Sequence, residues 1–307
     1  MEYISNLEKN LLNSKFTITA EIGPPKGSDK NIIINKAKIL ENFADAFNIT
    51  DNQTAVVRMS SIAASKILLD NNVEPIIQIT CRDRNRIAIQ SDILGASALG
   101  IKNVLCLTGD HQSFGNHPES KGVFDIDSIQ LLQIVKNMCK KGVFQNGEII
   151  RFGKPKFFIG AATNPFSDMI NFSIDRLEKK IDAGVRFIQT QSVFNIDKFN
   201  EWFDIIKSRG IERRVHILVG ITPLKSKKMA YRMKYHVPGV DFPDYLYNRI
   251  EKSDDDAKEG FNISLELIKK IKKISGIKGI HITALFWEKI IPDLIIKSNL
   301  TKNERKT

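Results

Sequence analysis

Cysteine is scarce in this chain: three among 307 residues, Cys81, Cys106 and Cys139, with no C-x-x-C pair. That excludes a disulfide scaffold and a clustered zinc site, and it fits a reducing compartment. The five histidines (His111, His117, His216, His236 and His281) have no metal-ligand spacing, so no metal is expected. No run approaches the ~20 apolar residues that span a bilayer. The opening stretch MEYISNLEKN lacks the apolar core of a secretion signal. A cytoplasmic chain without membrane association is therefore expected. A glycine-rich phosphate fingerprint is missing as well: EIGPPKGSD follows the first apolar run, which argues against a classical dinucleotide-binding sheet. Acidic residues are the minority, 35 against 46 Lys plus Arg, for a net charge of +11. The lysines are spread over helix-like segments, with KKIKK at 269–273 the densest internal run. No basic patch is interleaved with aromatics, so the charge reads as a solvated surface rather than a nucleic-acid face.

What is present is a rhythm. Eight short apolar runs recur: FTITAEI (16–22), AFNIT (46–50), PIIQIT (75–80), NVLCLT (103–108), KFFIGAA (156–162), FIQTQ (187–191), VHILVGI (215–221) and GIHITAL (279–285). They read as buried strands. Most gaps hold a segment with helical spacing, such as Ile89, Ile93 and Ala96, and several of these end near glycine, at Gly100, Gly184, Gly210 and Gly276. Eight strands alternating with helices predict a (β/α)8 barrel, with a doubly wound open sheet as the competitor. No linker divides the chain, so residues 1–307 are expected to form a single catalytic domain, with 300–307 a disordered tail. Residues 146–156 read as a small hairpin before the fifth strand, and 226–262 as two or three short helices before a long one.

In such a barrel the carboxyl ends of the strands form the active face. They carry Glu21, Thr50 and Asp51, Gln78 to Thr80, Thr108 to Asp110, Ala162 to Asn164, Gln189 to Gln191, Thr222 and Trp287. Most are polar, which points to one shared pocket lined by amides and carboxylates. Glu21 reads either as a cap or salt-bridge partner, or as a pocket carboxyl with a raised pKa able to act as a general acid. Asp110 reads either as a turn cap or as a site carboxylate. Gln189 and Gln191 share one face of a strand, and polar groups facing a barrel interior are costly unless satisfied, so both point to a ligand. His216 and His281 read as core residues, and Cys106 as a small buried hydrophobe.

Five motifs, TAEIGPPKG, ITCRDRNR, LGIKNVLCLTGD, KKIDAGVRFIQTQSVFN and VGITPLKS, stand in the order found in the methylenetetrahydrofolate reductase family, which the chain resembles over residues 16–290. The resemblance is to the catalytic barrel alone. It implies a flavin-dependent reduction of 5,10-methylenetetrahydrofolate to 5-methyltetrahydrofolate, by hydride transfer from reduced flavin to an iminium at N5. Residue by residue, it implies Glu21 as the general acid that protonates the folate N10. It implies Asp110 as a second catalytic carboxylate beside the flavin and the pterin, and Gln191, with Gln189, as substrate-binding. Thr50, Gln78, Thr108, Gly109, Asp110 and Lys180 are then the cofactor-binding set. Many relatives have His where Gln78 stands and Arg where Thr108 stands. Lys227 stands near a position where NADH-using bacterial members place an aromatic. The cofactor implied is FAD, with FMN the alternative. The electron donor is NADH or a low-potential donor delivered by a partner subunit. A homo- or hetero-oligomer is expected, with tetrahydrofolate as the substrate scaffold. The alternative reading is a non-catalytic flavin- or folate-binding barrel within an electron-transfer complex. Arg82 and Arg84 have three open roles: phosphate, partner or neighbouring acid.

Overall fold

The computed structural model describes residues 2–305. Eight parallel strands close into a barrel in sequence order: β1 Thr17–Ile22, β2 Ala46–Ile49, β3 Pro75–Thr80, β4 Asn103–Leu107, β5 Phe158–Thr163, β6 Phe187–Ser192, β7 His216–Ile221 and β8 Gly279–Ile282. β1 closes on β8 with Thr19 opposite His281. The helices are α1 Asn6–Leu12, α2 Lys30–Leu40, α3 Ser61–Leu69, α4 Arg86–Ala98, α5 Ser128–Lys140, α6 Ile170–Asp182, α7 Ile196–Ser208, α8 Lys227–His236, α9 Asp244–Glu251, α10 Asp256–Ile271 and α11 Ile291–Lys297. The chain is a (β/α)8 barrel, and all eight predicted strands are present within a few residues of their expected ends. β8 stops earliest, at Ile282.

The strands read as nearly continuous apolar runs because both faces are buried. One set of side chains, including Ile18, Ala20, Ile22, Ile77, Ile79, Val104 and Cys106, packs outward in the core shared with the helices. The opposite set fills the barrel in levels. At the amino-terminal end Ala46, Ile76, Leu105, Phe158, Phe187 and Leu218 form an apolar floor, and Leu7 and Leu11 of α1 belong to the same cluster. Glu74 holds α1 there by accepting the Asn6 and Leu7 N–H groups, both at 2.9 Å. Gly160 is obligatory in this floor: a Cβ would sit 2.2 Å from the Phe187 ring.

Above the floor lies a polar level. Asn48 and Gln189 exchange amide hydrogen bonds (2.6 and 2.9 Å), and Gln189 also donates to the Thr19 hydroxyl at 3.1 Å. That hydroxyl meets His281 Nδ1 at 2.9 Å. Burial lowers the His281 pKa to about 4, so the ring is neutral at physiological pH.

Two expectations are corrected. The hairpin lies earlier than 146–156: Val143 pairs with Ile149 and Phe144 N–H donates to Glu148 O at 2.8 Å. Gly147, at φ +90°, supplies the turn in the middle of that stretch. Residues 300–305 are not a frayed tail. Leu300 is fully buried, and the Arg305 guanidinium donates to Asp45 and to Phe16 O. Residues 306–307 of that expected tail lie outside the described residues. Of the two or three short helices expected in 226–262, two are present, α8 and α9, ahead of the long α10.

Candidate active site

The carboxyl ends of the strands open into a cavity of about 1200 Å³. Glu21, at the end of β1, lies half-buried in its wall, and Gln53 Nε2 donates to Glu21 Oε1 at 3.1 Å. Desolvation raises the Glu21 pKa to about 7. The Gln53 hydrogen bond and the Lys36 charge oppose that rise, and Glu288 adds to it. A carboxyl poised near neutrality holds a proton at pH 7 and can release it there.

Asp110 is exposed on the same cavity, and its Oδ2 accepts the Thr54 N–H at 3.2 Å. Gln78 and Gln191 also line it, and among the described residues the only partner of the Gln191 amide is a long contact to Pro238 O at 3.5 Å. Gln189 lies deeper, and its amide is already satisfied by Asn48 and Thr19. The sequence argument that its polarity points to a ligand is weakened, since the barrel interior supplies its partners, although Gln189 still lines the cavity.

Of the remaining sequence-derived residues, Lys180 lines the cavity, and Thr50, Thr108 and Gly109 do not. Thr50 is buried and its hydroxyl has no partner among the described residues. Thr108 and Gly109 follow β4, and Gly109 turns the chain at φ +92°, where a Cβ would stand 3.1 Å from the side chains of Thr80 and Arg82. Lys180 projects from α6 into the cavity and donates to Ala162 O at 2.7 Å. Burial, helped by Arg176 one turn away, lowers its pKa to about 8. Trp287 is not in the lining; beyond β8, Leu285 and Phe286 reach the rim instead.

Arg82 and Arg84 serve neighbouring acids and loop carbonyls. Arg84 is bidentate to the buried Asp51, at 2.8 Å for both contacts. The nearly inaccessible Arg82 pairs with Asp83 and donates to Asn52 O and Asp110 O. The two arginines tie the loops after β2, β3 and β4 into one block.

Sequence reasoning missed Gln53, Thr54, Arg58, Arg176, Lys228 and Arg232, all of which line the cavity. The last three were findable, because Arg176 with Lys180 on α6, and Lys228 with Arg232 on α8, are one helical turn apart and share a face. Arginines elsewhere pair with carboxylates, as Arg209 does with Asp175 and Arg249 with Glu266. The cavity cations Arg58, Arg176, Lys180, Lys228 and Arg232 have no carboxylate partner among the described residues. That leaves a positive wall suited to an anionic ligand.

Residues 6–299 match the family described as "Methylenetetrahydrofolate reductase". The chain belongs to the methylenetetrahydrofolate reductase family. Among its relatives, the 5,10-methylenetetrahydrofolate reductase of Buchnera aphidicola is 26% identical over 295 residues, covering 92% of each chain. Methylenetetrahydrofolate reductase 1 of Schizosaccharomyces pombe is 27% identical over 243 residues, covering 76% of this chain and 37% of its own length. The chain thus spans well under half of that fungal relative and nearly all of the bacterial one. Among solved structures, an uncharacterised protein from Clostridium thermocellum, which binds two copies of 5-methyl-5,6,7,8-tetrahydrofolic acid, superposes with TM-score 0.68 at 18% identity, over 95% of this chain and 99% of that one. It shows the same fold.

For a member of this reductase family, Lys227 is informative. It lies outside the cavity lining, its N–H on Asp256 Oδ2 at 3.0 Å and its Nζ 3.5 Å from Asp256 Oδ1. No helix among the described residues is long and apolar enough to cross a membrane, and no group of three or more His, Cys, Asp or Glu there could hold a metal.

Proposed function

We propose that the chain reduces 5,10-methylenetetrahydrofolate to 5-methyltetrahydrofolate, with a bound flavin as the hydride source and Glu21 as the general acid. The observation that carries this reading is Glu21 itself: a carboxyl with its pKa at about 7, on a cavity shared with Asp110 and the amide of Gln191. Protonated Glu21 delivers its proton to the folate N10 and so opens the five-membered ring. Asp110 supports the positive charge that develops at N5, and Gln191 orients the pterin edge.

The flank fits a flavin. The orphaned Thr50 hydroxyl leaves a buried hydrogen bond to be satisfied, while Gly109 lets the loop after β4 close on Thr80 and Arg82 beside Asp110. Lys180, beside Arg176, suits a phosphate as a point charge. Thr50, Gln78, Thr108, Gly109, Asp110 and Lys180 would hold the group, FAD or FMN, which supplies two-electron reduction when bound. The donor is NADH or a low-potential partner in the cytoplasm. Lys227, turned away to Asp256, offers no stacking surface to a nicotinamide, which favours the partner.

The test is Glu21→Gln in the flavin-loaded chain. Reduction of the flavin by an artificial donor should stay near wild type, while folate reduction falls about 10²–10⁴-fold. A variant that keeps more than about a tenth of wild-type folate turnover contradicts the assignment.

A further inference from the structure

The segment after β2 is strained. Asn52, Thr54 and Ala55 have φ of 45°, 57° and 55°, left-handed conformations that non-glycine residues avoid. Of the three, only asparagine tolerates that region readily. Such strain persists where the surroundings over-determine it, and it gathers at functional sites.

Here the surroundings are explicit. Arg82 Nη2 donates to Asn52 O at 3.1 Å, and Arg58 N–H to Asn52 Oδ1 at 3.0 Å. Val57 N–H donates to Asn116 Oδ1 at 3.0 Å. Arg58 Nη1 and Met59 N–H reach back to Pro24 O and Pro25 O. Gly115 packs so tightly on Ala55 that a Cβ there would lie 1.8 Å from the Ala55 carbonyl oxygen. The segment therefore touches the loops after β1, β3 and β4. Its two outputs are the Gln53 side chain on Glu21 and the Thr54 N–H on Asp110. One strained stretch holds both carboxylates.

We propose that Gln53 is a positioning residue for Glu21: its amide N–H on Oε1 makes that atom the carbonyl-like oxygen and leaves Oε2 to carry the acid proton. The inference deepens the function proposed above and rests on Glu21 being the acid. A carboxyl free to rotate would present its proton on either oxygen. With Oε1 occupied, the proton is confined to one, and Thr54 keeps Asp110 in register with it. The other charged groups near Glu21 are Lys36 of α2, Arg58 and Glu288. Lys36 Nζ is engaged by Glu288 Oε1 at 2.6 Å, so these two largely cancel at Glu21. His281 is neutral. Gln53 is thus the one directional contact on the carboxyl among the described residues.

The experiment measures single-turnover folate reduction by the pre-reduced, flavin-loaded full chain across pH, for wild type, Gln53→Met, Gln53→Glu and Glu21→Gln. A general acid must be protonated, so the wild-type rate falls as pH rises through the Glu21 pKa. Gln53→Met removes a donor that favours the carboxylate, so the alkaline limb should move up by about half a pH unit or more, and the plateau rate should fall about tenfold. Gln53→Glu sets a second carboxyl on the first and should move the limb further in the same direction. Flavin loading and thermal midpoint identify folded variants, and the near-isosteric Gln53→Glu decides if the methionine variant does not fold. A folded variant with its limb within about 0.2 units of wild type and its plateau within about twofold overturns the proposal, since general acid contributions are far larger. If Glu21→Gln keeps the wild-type limb, the limb belongs to another group; the acid assignment then fails, and this proposal with it.

Discussion

At the residue scale, the decisive property is that burial raises the Glu21 pKa to about 7, so the carboxyl is partly protonated at neutral pH. That has a cost in stability, and the cost depends on pH. The folded carboxyl titrates at about 7 against an ordinary value of 4.5, so the folded state binds more protons than the unfolded one between those limits. Stability contributed at this position therefore falls as pH rises from about 4.5 to 7 and stays low above. Glu21→Gln removes the ionisation, so it should stabilise the fold, more at pH 8.5 than at pH 5.5, by about 1–3 kcal/mol at the higher pH. Thermal melts of both proteins at the two pH values check this; an equal midpoint difference at both would refute the desolvated setting of Glu21. Asp110 makes a complementary case. It is exposed, and the proposed role rests on its charge. Asp110→Asn should still bind flavin but raise its reduction potential, because a negative charge nearby disfavours the reduced anion. The weaker hydride donor should slow folate reduction. An unchanged potential in an anaerobic redox titration would remove Asp110 from that role.

At the element scale, the loops on the active face behave as one block because the buried Arg82 and the partly buried Arg84 tie them. Arg84→Met should leave Asp51 with only the Thr80 N–H and hydroxyl as donors, and destabilise the protein by about 3–5 kcal/mol, as breaking a buried ion pair does. Urea denaturation measures it; a loss under about 1 kcal/mol would show that Asp51 needs no cation. The elements also show what a sequence discloses. The strands were legible because burial on both faces writes an apolar, β-branched run into each one. Glu21, Asp110 and Gln191 were legible as polar endings of such runs. The Asn48–Gln189 exchange joins residues 141 positions apart, and no local pattern encodes it. The turn at 52–55 was hidden for another reason: Thr54 and Ala55 do not favour left-handed backbone, and tertiary contacts impose it. α1 is short, and its role as a plug depends on a floor built from distant strands.

At the scale of the whole molecule, the barrel is graded from an apolar floor, through an amide level, to a cation-walled cavity with a carboxyl that titrates at about 7. That gradient suits a large anionic ligand whose reactive ring reaches inward while its charged parts stay near the rim. The central claim is that this cavity passes hydride from a bound flavin to a folate. The most direct measurement is anaerobic: the chain is loaded with flavin, reduced with dithionite to the end point, and mixed with 5,10-methylenetetrahydrofolate. The account predicts that flavin absorbance returns in step with one equivalent of 5-methyltetrahydrofolate, faster at pH 6 than at pH 8.5. A flavin that stays reduced in the presence of the folate, or a chain that takes up neither FAD nor FMN, would contradict it.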